Sequence, residues 1–272
     1  MIGFVKARVA PSGIAWHMSR RAIQQRYRGS VLGVAWAFLT PLFMLVVYTF
    51  IFTRVFTVRW GQEVGDGTVG DLGTFEFAIL LFAGLSLYAF FSEVVLAAGS
   101  AITSNANYVK KVIFPLRILP VVAVASALFQ LLVALLILLA FQFALTQSLP
   151  WTVLLAPLAI IPLIVLVTGL GWLLAGLGTY LQDLNQVLGP LVTALLFLGP
   201  ILYPMSSFSE DVRPLLAFNP LTIPVEAFRD LTIWGQMPDW SALGIYSVVA
   251  VAFAVIGWIC FTRMRPGFAD VL

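Results

Sequence analysis

Long apolar stretches almost bare of charge alternate with short polar segments along the whole chain. The first stretch, residues 31–53, follows directly on a basic cluster of Arg20, Arg21, Arg26 and Arg28. A helix needs about 20 apolar residues to cross a bilayer, so this stretch predicts a transmembrane helix with some tilt. Pro41 inside it predicts a kink. Comparable stretches predict further spans at 75–98, 118–145, 151–178, 189–203 and 241–261. The fifth of these six is short and bounded by Pro190, Pro200 and Pro204. Residues 206–240 are too apolar for a solvated linker, yet Pro214, Pro220 and Pro224 cut them into pieces. Non-helical backbone persists at membrane depth only when buried in protein or lining a cavity. Two short re-entrant helices are therefore expected between spans 5 and 6. The fold class expected is an all-α membrane protein, with six transmembrane helices in a single transmembrane domain over residues 1–272.

Ahead of the first span, Trp16, Ile23 and Tyr27 recur at spacings of seven and four, with Arg20, Arg21, Gln24 and Arg28 around them. Residues 12–28 thus predict an amphipathic interface helix, lying in the headgroup plane with its arginines toward anionic lipid. The six spans divide the basic residues unevenly. Lys6, Arg8, Arg20, Arg21, Arg26, Arg28, Lys110, Lys111, Arg117, Arg263 and Arg265 fall on one side, and Arg54, Arg59, Arg213 and Arg229 on the other. An excess of Lys and Arg marks the cytoplasmic side, so both termini are expected there.

Composition agrees: 61% of residues are hydrophobic and 10% charged, with a mean hydropathy of +1.02. A net charge of +3 is compatible with binding nucleic acid, but the basic residues sit beside the spans, where they set topology instead. The single cysteine, Cys260, forms no internal disulfide, and the first 30 residues lack the pattern of a cleaved signal peptide. Glu93 in the second span is an intramembrane acid and so a functional suspect. At roughly 25 Å from the outer end, however, it falls close to the inner interface, where a structural role facing the interface or the bundle is expected. Gly65, Gly67 and Gly70 formally spell GxGxxG, but without a βαβ unit around them they read as a flexible turn. An enzyme acting on lipid-linked sugar needs an acid, base or nucleophile within reach of its substrate. The one histidine, His17, lies in the amphipathic helix, and no pair of acids at useful spacing or metal-ligand cluster falls in a span.

Residues 26–52, RYRGSVLGVAWAFLTPLFMLVVYTFIF, resemble the opening of type 2 ABC exporter permeases that move polysaccharide. Asn219-Pro220-Leu221 followed by Val225-Glu226-x-Phe228-Arg229 is similar to that family's external re-entrant segment. O-antigen exporter permeases resemble the chain most, with teichoic acid and capsule exporters as relatives and other lipophilic cargoes as alternatives. The resemblance implies a homodimer in the cytoplasmic (inner) membrane, bound to two copies of a separate ABC ATPase that holds ATP and Mg. No cofactor is expected in this chain, which carries no GxxxxGK[ST] phosphate loop. ATPase-coupling helices are implied at 105–112, with Asn107, Lys110 and Lys111, and at 180–188, with Gln182 and Asp183. Arg20, Arg26 and Arg28 are implied to receive a lipid-linked diphosphate, whose oxygens match arginine forks.

A sliding sugar polymer needs faces that hold its rings weakly and repeatedly, which aromatic side chains provide. Tyr48, Phe52 and Phe56 recur every four residues on the outer half of the first span, with Phe197 and Tyr203 on the fifth as facing partners. Glu226 and Arg229 stand at i, i+3 and are expected to pair on a helix surface as part of an external gate.

Overall fold

The computed structural model describes residues 11–54, 74–110, 114–181, 183–202, 205, 209–211, 213–216 and 218–272. Phe56, Lys111, Gln182 and Tyr203 lie outside the described residues, as do the three glycines of the 65–70 turn. Helices α1 (Pro11–Arg26), α2 (Trp36–Arg54), α3 (Thr74–Gly99) and the short α4 (Ala106–Lys110) come first. They are followed by α5 (Ile118–Thr146), α6 (Ala156–Tyr180) and α7 (Leu184–Phe197). Two short helices, α8 (Arg213–Leu216) and α9 (Thr222–Arg229), precede α10 (Trp240–Met264) and α11 (Phe268–Val271). No strand occurs among the described residues.

Among the described residues, five helical segments are long and apolar enough to cross a membrane: 33–51, 77–99, 118–146, 151–180 and 240–271. The expected fifth span is different. At 14 residues, α7 reaches about 21 Å at 1.5 Å per residue, short of the roughly 30 Å hydrocarbon core. The separate polar helix expected at 180–188 is also absent. α6 continues to Tyr180, and α7 already begins at Leu184. The reason is visible in packing: Leu184 and Leu188 belong to α7 and pack into the main core, while Leu181 is extended and exposed where α6 ends.

α3 is the centre of the bundle. Its residues Phe77 to Ala83 are all buried, as are Leu87, Phe90, Phe91, Val94 and Val95, and it packs against α2, α5, α6, α7 and α9. α6 in turn packs along α10. There a Cβ on Gly169 would stand 2.5 Å from the Cα of Ala254, and one on Gly257 would overlap the carbonyl of Gly169. Small residues let helices approach closely where lipid offers no hydrophobic drive to associate. Pro41 lacks the N–H that would satisfy the Ala37 carbonyl one turn earlier. Gln130 on α5 replaces it, its Nε2 donating to that carbonyl at 3.2 Å.

A second cluster closes the end of the bundle that carries α1, α4 and α11, here called the basic end. Ile102, Leu116, Leu119, Ala175, Phe261 and Phe268 are its buried members, and Met18 of α1 packs on it. Phe268 is fully buried, edge-on to Phe261 with ring centres 5.6 Å apart.

Candidate functional site

At the basic end α1 lies along α5. Arg20, Arg26 and Arg28 are all exposed, and of the three Arg26 pairs with Glu93 of α3, Nη2 to Oε1 at 2.9 Å. Next to it the Tyr27 hydroxyl donates to Oε1 of Gln130 at 2.7 Å. Tyr27, Gln130 and Ala37 thus form one chain of hydrogen bonds joining α1's trailing turn to α5 and to the proline break in α2. Trp16, expected on the apolar face of α1, is 69% exposed, while Ser19 and Met18 turn inward. A cleft of about 590 Å³ lies beneath α1, lined by Arg21, Arg26, Glu93, Ser104, Asn105 and Ser126 among others.

The segments expected to meet the ATPase share this end. Asn107 is exposed on α4, and the Lys110 ammonium donates to the main-chain oxygen of Leu272 just beyond α11. Asp183 is exposed in the turn between α6 and α7. α11 connects the two, since Tyr180 at the end of α6 donates to the Met264 carbonyl at 2.8 Å and its ring lies 5.9 Å from that of Phe268. Arg117 stacks over Trp258 at 5.1 Å, and Trp172 Nε1 donates to the Arg117 carbonyl at 3.0 Å. Sequence reasoning misses this C-terminal contribution, because no residue type in 265–272 signals it.

At the opposite end α9 is buried against α3, α6 and α10. Arg229 is 3% exposed. Its Nε and Nη2 donate to the Leu80 carbonyl at 3.0 and 2.9 Å, Nη2 also to that of Ile201 at 2.8 Å, and Nη1 to that of Pro200. Asn219 completes the arrangement, its Nδ2 donating to the carbonyls of Leu195 and Leu198 at 2.8 and 2.7 Å. A helix leaves its last carbonyls unpaired, and at membrane depth each needs a protein partner. Asn219 and Arg229 supply partners at and just beyond the end of the short α7. The i, i+3 spacing with Glu226 points to a surface pair. The structure adds partners that spacing does not reveal, carbonyls of α3 and of the turn after α7. Gly84 makes room for the guanidinium, since a Cβ there would lie 2.6 Å from Arg229 Nη2.

Of the aromatic residues expected to line a conduit, Tyr48 is half-buried and packs against the α3 core, and Phe197 is exposed on α7. Phe52 falls in the last turn of α2. The structure shows a second stripe: Trp36, Phe43 and Phe50, one heptad apart, are 44%, 64% and 62% exposed on α2. Periodicity alone does not choose between the stripes, because both have helical spacing. No group of His, Cys, Asp and Glu that could hold a metal ion occurs among the described residues.

Residues 15–233, from α1 through α9, match the ABC-2 type transporter family. The chain is 29% identical over 211 residues to the O-antigen export system permease protein RfbA of Myxococcus xanthus, covering 78% of this chain and 76% of that one. It is 23% identical over 257 residues to the protein of the same name from Klebsiella pneumoniae, covering 94% and 93%. With several helices long enough to cross a membrane and a family match over most of its length, the chain is a multi-pass membrane protein and belongs to the ABC-2 type transporter family.

Proposed function

We propose that this chain is the transmembrane subunit of an exporter of lipid-linked polysaccharide of the O-antigen type. It works as a homodimer in the cytoplasmic membrane, both termini inside, with two copies of an ABC ATPase supplying the energy. The observation that carries the reading is the near full-length similarity to RfbA permeases, whose name states O-antigen export. The geometry is consistent with it. The α1 arginines, Asn107 and Lys110 of α4, and Asp183 share the end that would face the ATPase. In this reading α7 and the residues after it make the fifth of six crossings, and α8 and α9 are re-entrant from the outside between it and α10. Glu226 and Arg229 then belong to the external gate, and Tyr48, Phe52, Phe56, Phe197 and Tyr203 to the polymer conduit. Arg20, Arg26 and Arg28 meet the lipid diphosphate.

The test is co-expression with the candidate ATPase, purification in nanodiscs, and ATP hydrolysis with and without lipid-linked polysaccharide. A two-plus-two complex whose hydrolysis responds to the polymer is expected, with the response lost in Lys110→Ala/Lys111→Ala. An intact chain that recruits no ATPase overturns the reading. Tyr48→Ala/Phe52→Ala is expected to reduce surface polymer while leaving the complex assembled; wild-type export by that variant removes those residues from the conduit.

A further inference from the structure

Two cavities meet at Glu93. One is the cleft beneath α1; the other, about 180 Å³, lies between α2, α3 and α5 and is lined mainly by apolar side chains such as Met44, Phe82, Leu85, Phe90 and Leu131. Glu93 lines both, and Gln130 lines the apolar one while bonding Tyr27 and Ala37. We propose that the two form a single site for one lipid phosphate, with the headgroup in the cleft displacing the Glu93 carboxylate from Arg26. The proposal deepens the headgroup role given to Arg26 above and moves it off the exposed helix face into this cleft.

Chemistry sorts the cleft's walls. Arg21 and Arg26 provide charge, and Ser100, Ser104, Asn105 and Ser126 provide neutral donors. Among the described residues, Glu93 is the one acid lining either cavity. At about 30 Å³ per water the cleft has room for many waters, more than a diphosphate displaces. The Arg26–Glu93 pair is 41% and 27% exposed on its two sides, the kind of pair that contributes little and exchanges readily. A phosphate offers the same fork a second oxygen and more charge than one carboxylate. The apolar cavity holds only the first carbons of a hydrocarbon chain at its volume, so the remainder of the chain extends into the bilayer. Glu93 therefore acts as an internal stand-in for the ligand, keeping Arg26 ordered until a lipid headgroup arrives.

A lipid phosphate has two sources, a resident phospholipid or the polyprenyl diphosphate of the cargo. The test reconstitutes the full chain in phosphatidylcholine nanodiscs doped with either phosphatidylglycerol or a polyprenyl diphosphate. Lipids retained per chain are counted by native mass spectrometry. One retained phosphate lipid per chain is expected, with retention raised about fivefold by Glu93→Gln, the upper scale for removing an exposed ion pair. Ser126→Trp, which fills the cleft from α5 while leaving Arg26 and Glu93 in place, is expected to abolish retention at an unchanged Tm. Preference for the polyprenyl diphosphate identifies a cargo entry site, and equal retention of phosphatidylglycerol a resident lipid site; either supports the proposal. Retention indifferent to both variants, or weakened by Glu93→Gln, overturns it. Lipid retained by a chain that binds no ATPase sinks the exporter reading and leaves the site standing.

Discussion

Arg229 and Asn219 show how much one side chain can settle. Between them they donate to the carbonyls of Leu80, Leu195, Leu198, Pro200 and Ile201, groups that in the re-entrant arrangement proposed above have no water to fall back on. Losing a buried charged donor leaves such acceptors unpaired, at about 1.5–3 kcal/mol for each hydrogen bond to a charged group. Arg229→Lys keeps a cation but not the planar fork, so it is expected to lower the Tm nearly as much as Arg229→Met. A lysine variant with wild-type Tm counts against the fork geometry. Gly199 provides a sharper check, since a Cβ there would lie 2.5 Å from Asn219 Nδ2. Gly199→Ala is expected to cost about 1–3 kcal/mol in the wild type and clearly less beside Asn219→Ala, where the clash partner is gone. Additive losses in that double-mutant cycle would show that the two residues do not meet.

Close approach governs the elements as well. α6 and α10 cross at Gly169 and Gly257, where backbone meets backbone. Gly257→Leu has no flexible neighbour to displace, so it must separate the helices, at about 1–3 kcal/mol or more. Loss of a defined Tm or of detergent-stable protein is expected, whereas Gly244→Leu, with open space around its Cβ position, leaves the fold intact. Equal behaviour of the two variants would dismiss the crossing as a packing constraint. The long helices are legible in the sequence because an uncharged apolar run of about 20 residues matches the thickness of a bilayer and little else. The end of α7 is legible too, in Pro200, whereas Pro190, expected to bound the span, lies inside the helix. A separate helix at 180–188 is a false expectation, which arises when the polar residues are taken as one element although Leu184 and Leu188 already belong to α7. Partners such as the Leu80 and Ile201 carbonyls are beyond reach, since a backbone acceptor has no residue signature. The Arg26–Glu93 pair lies in the same blind spot, because it joins residues 67 positions apart and only the tertiary fold makes them neighbours.

The packing around α3 bears on the whole molecule. Neighbouring contacts run from α2 to α5, from α5 to α6 and from α6 to α7, so α2 and α7 stand at the two ends of an incomplete ring. α10 sits outside it, behind α6. The two exposed faces differ in kind. α10 presents mostly aliphatic side chains suited to lipid, Ile245, Val248, Val251, Val255 and Ile259, beside the exposed Trp240 and Phe253; α2 presents Trp36, Leu39, Phe43, Val46 and Phe50 at alternating three- and four-residue steps. That spacing is the a/d seam by which one helix meets another. In the homodimer proposed above, the α2 face rather than the α10 face is expected to close the ring against the second copy. On a two-fold axis a residue meets its own counterpart, and a disulfide forms only when the two Cα atoms come within about 7 Å. Cys260 is the one cysteine, so Cys260→Ser provides a clean background. Single cysteines along the α2 seam, at Leu39, Phe43, Val46 and Phe50, are expected to give covalent dimers on mild oxidation in native membranes. Val248→Cys and Val255→Cys on α10 are expected to remain monomeric. Dimers from the α10 positions alone would place the partner on the far side of α6, and the aromatic face of α2 would then belong to lipid.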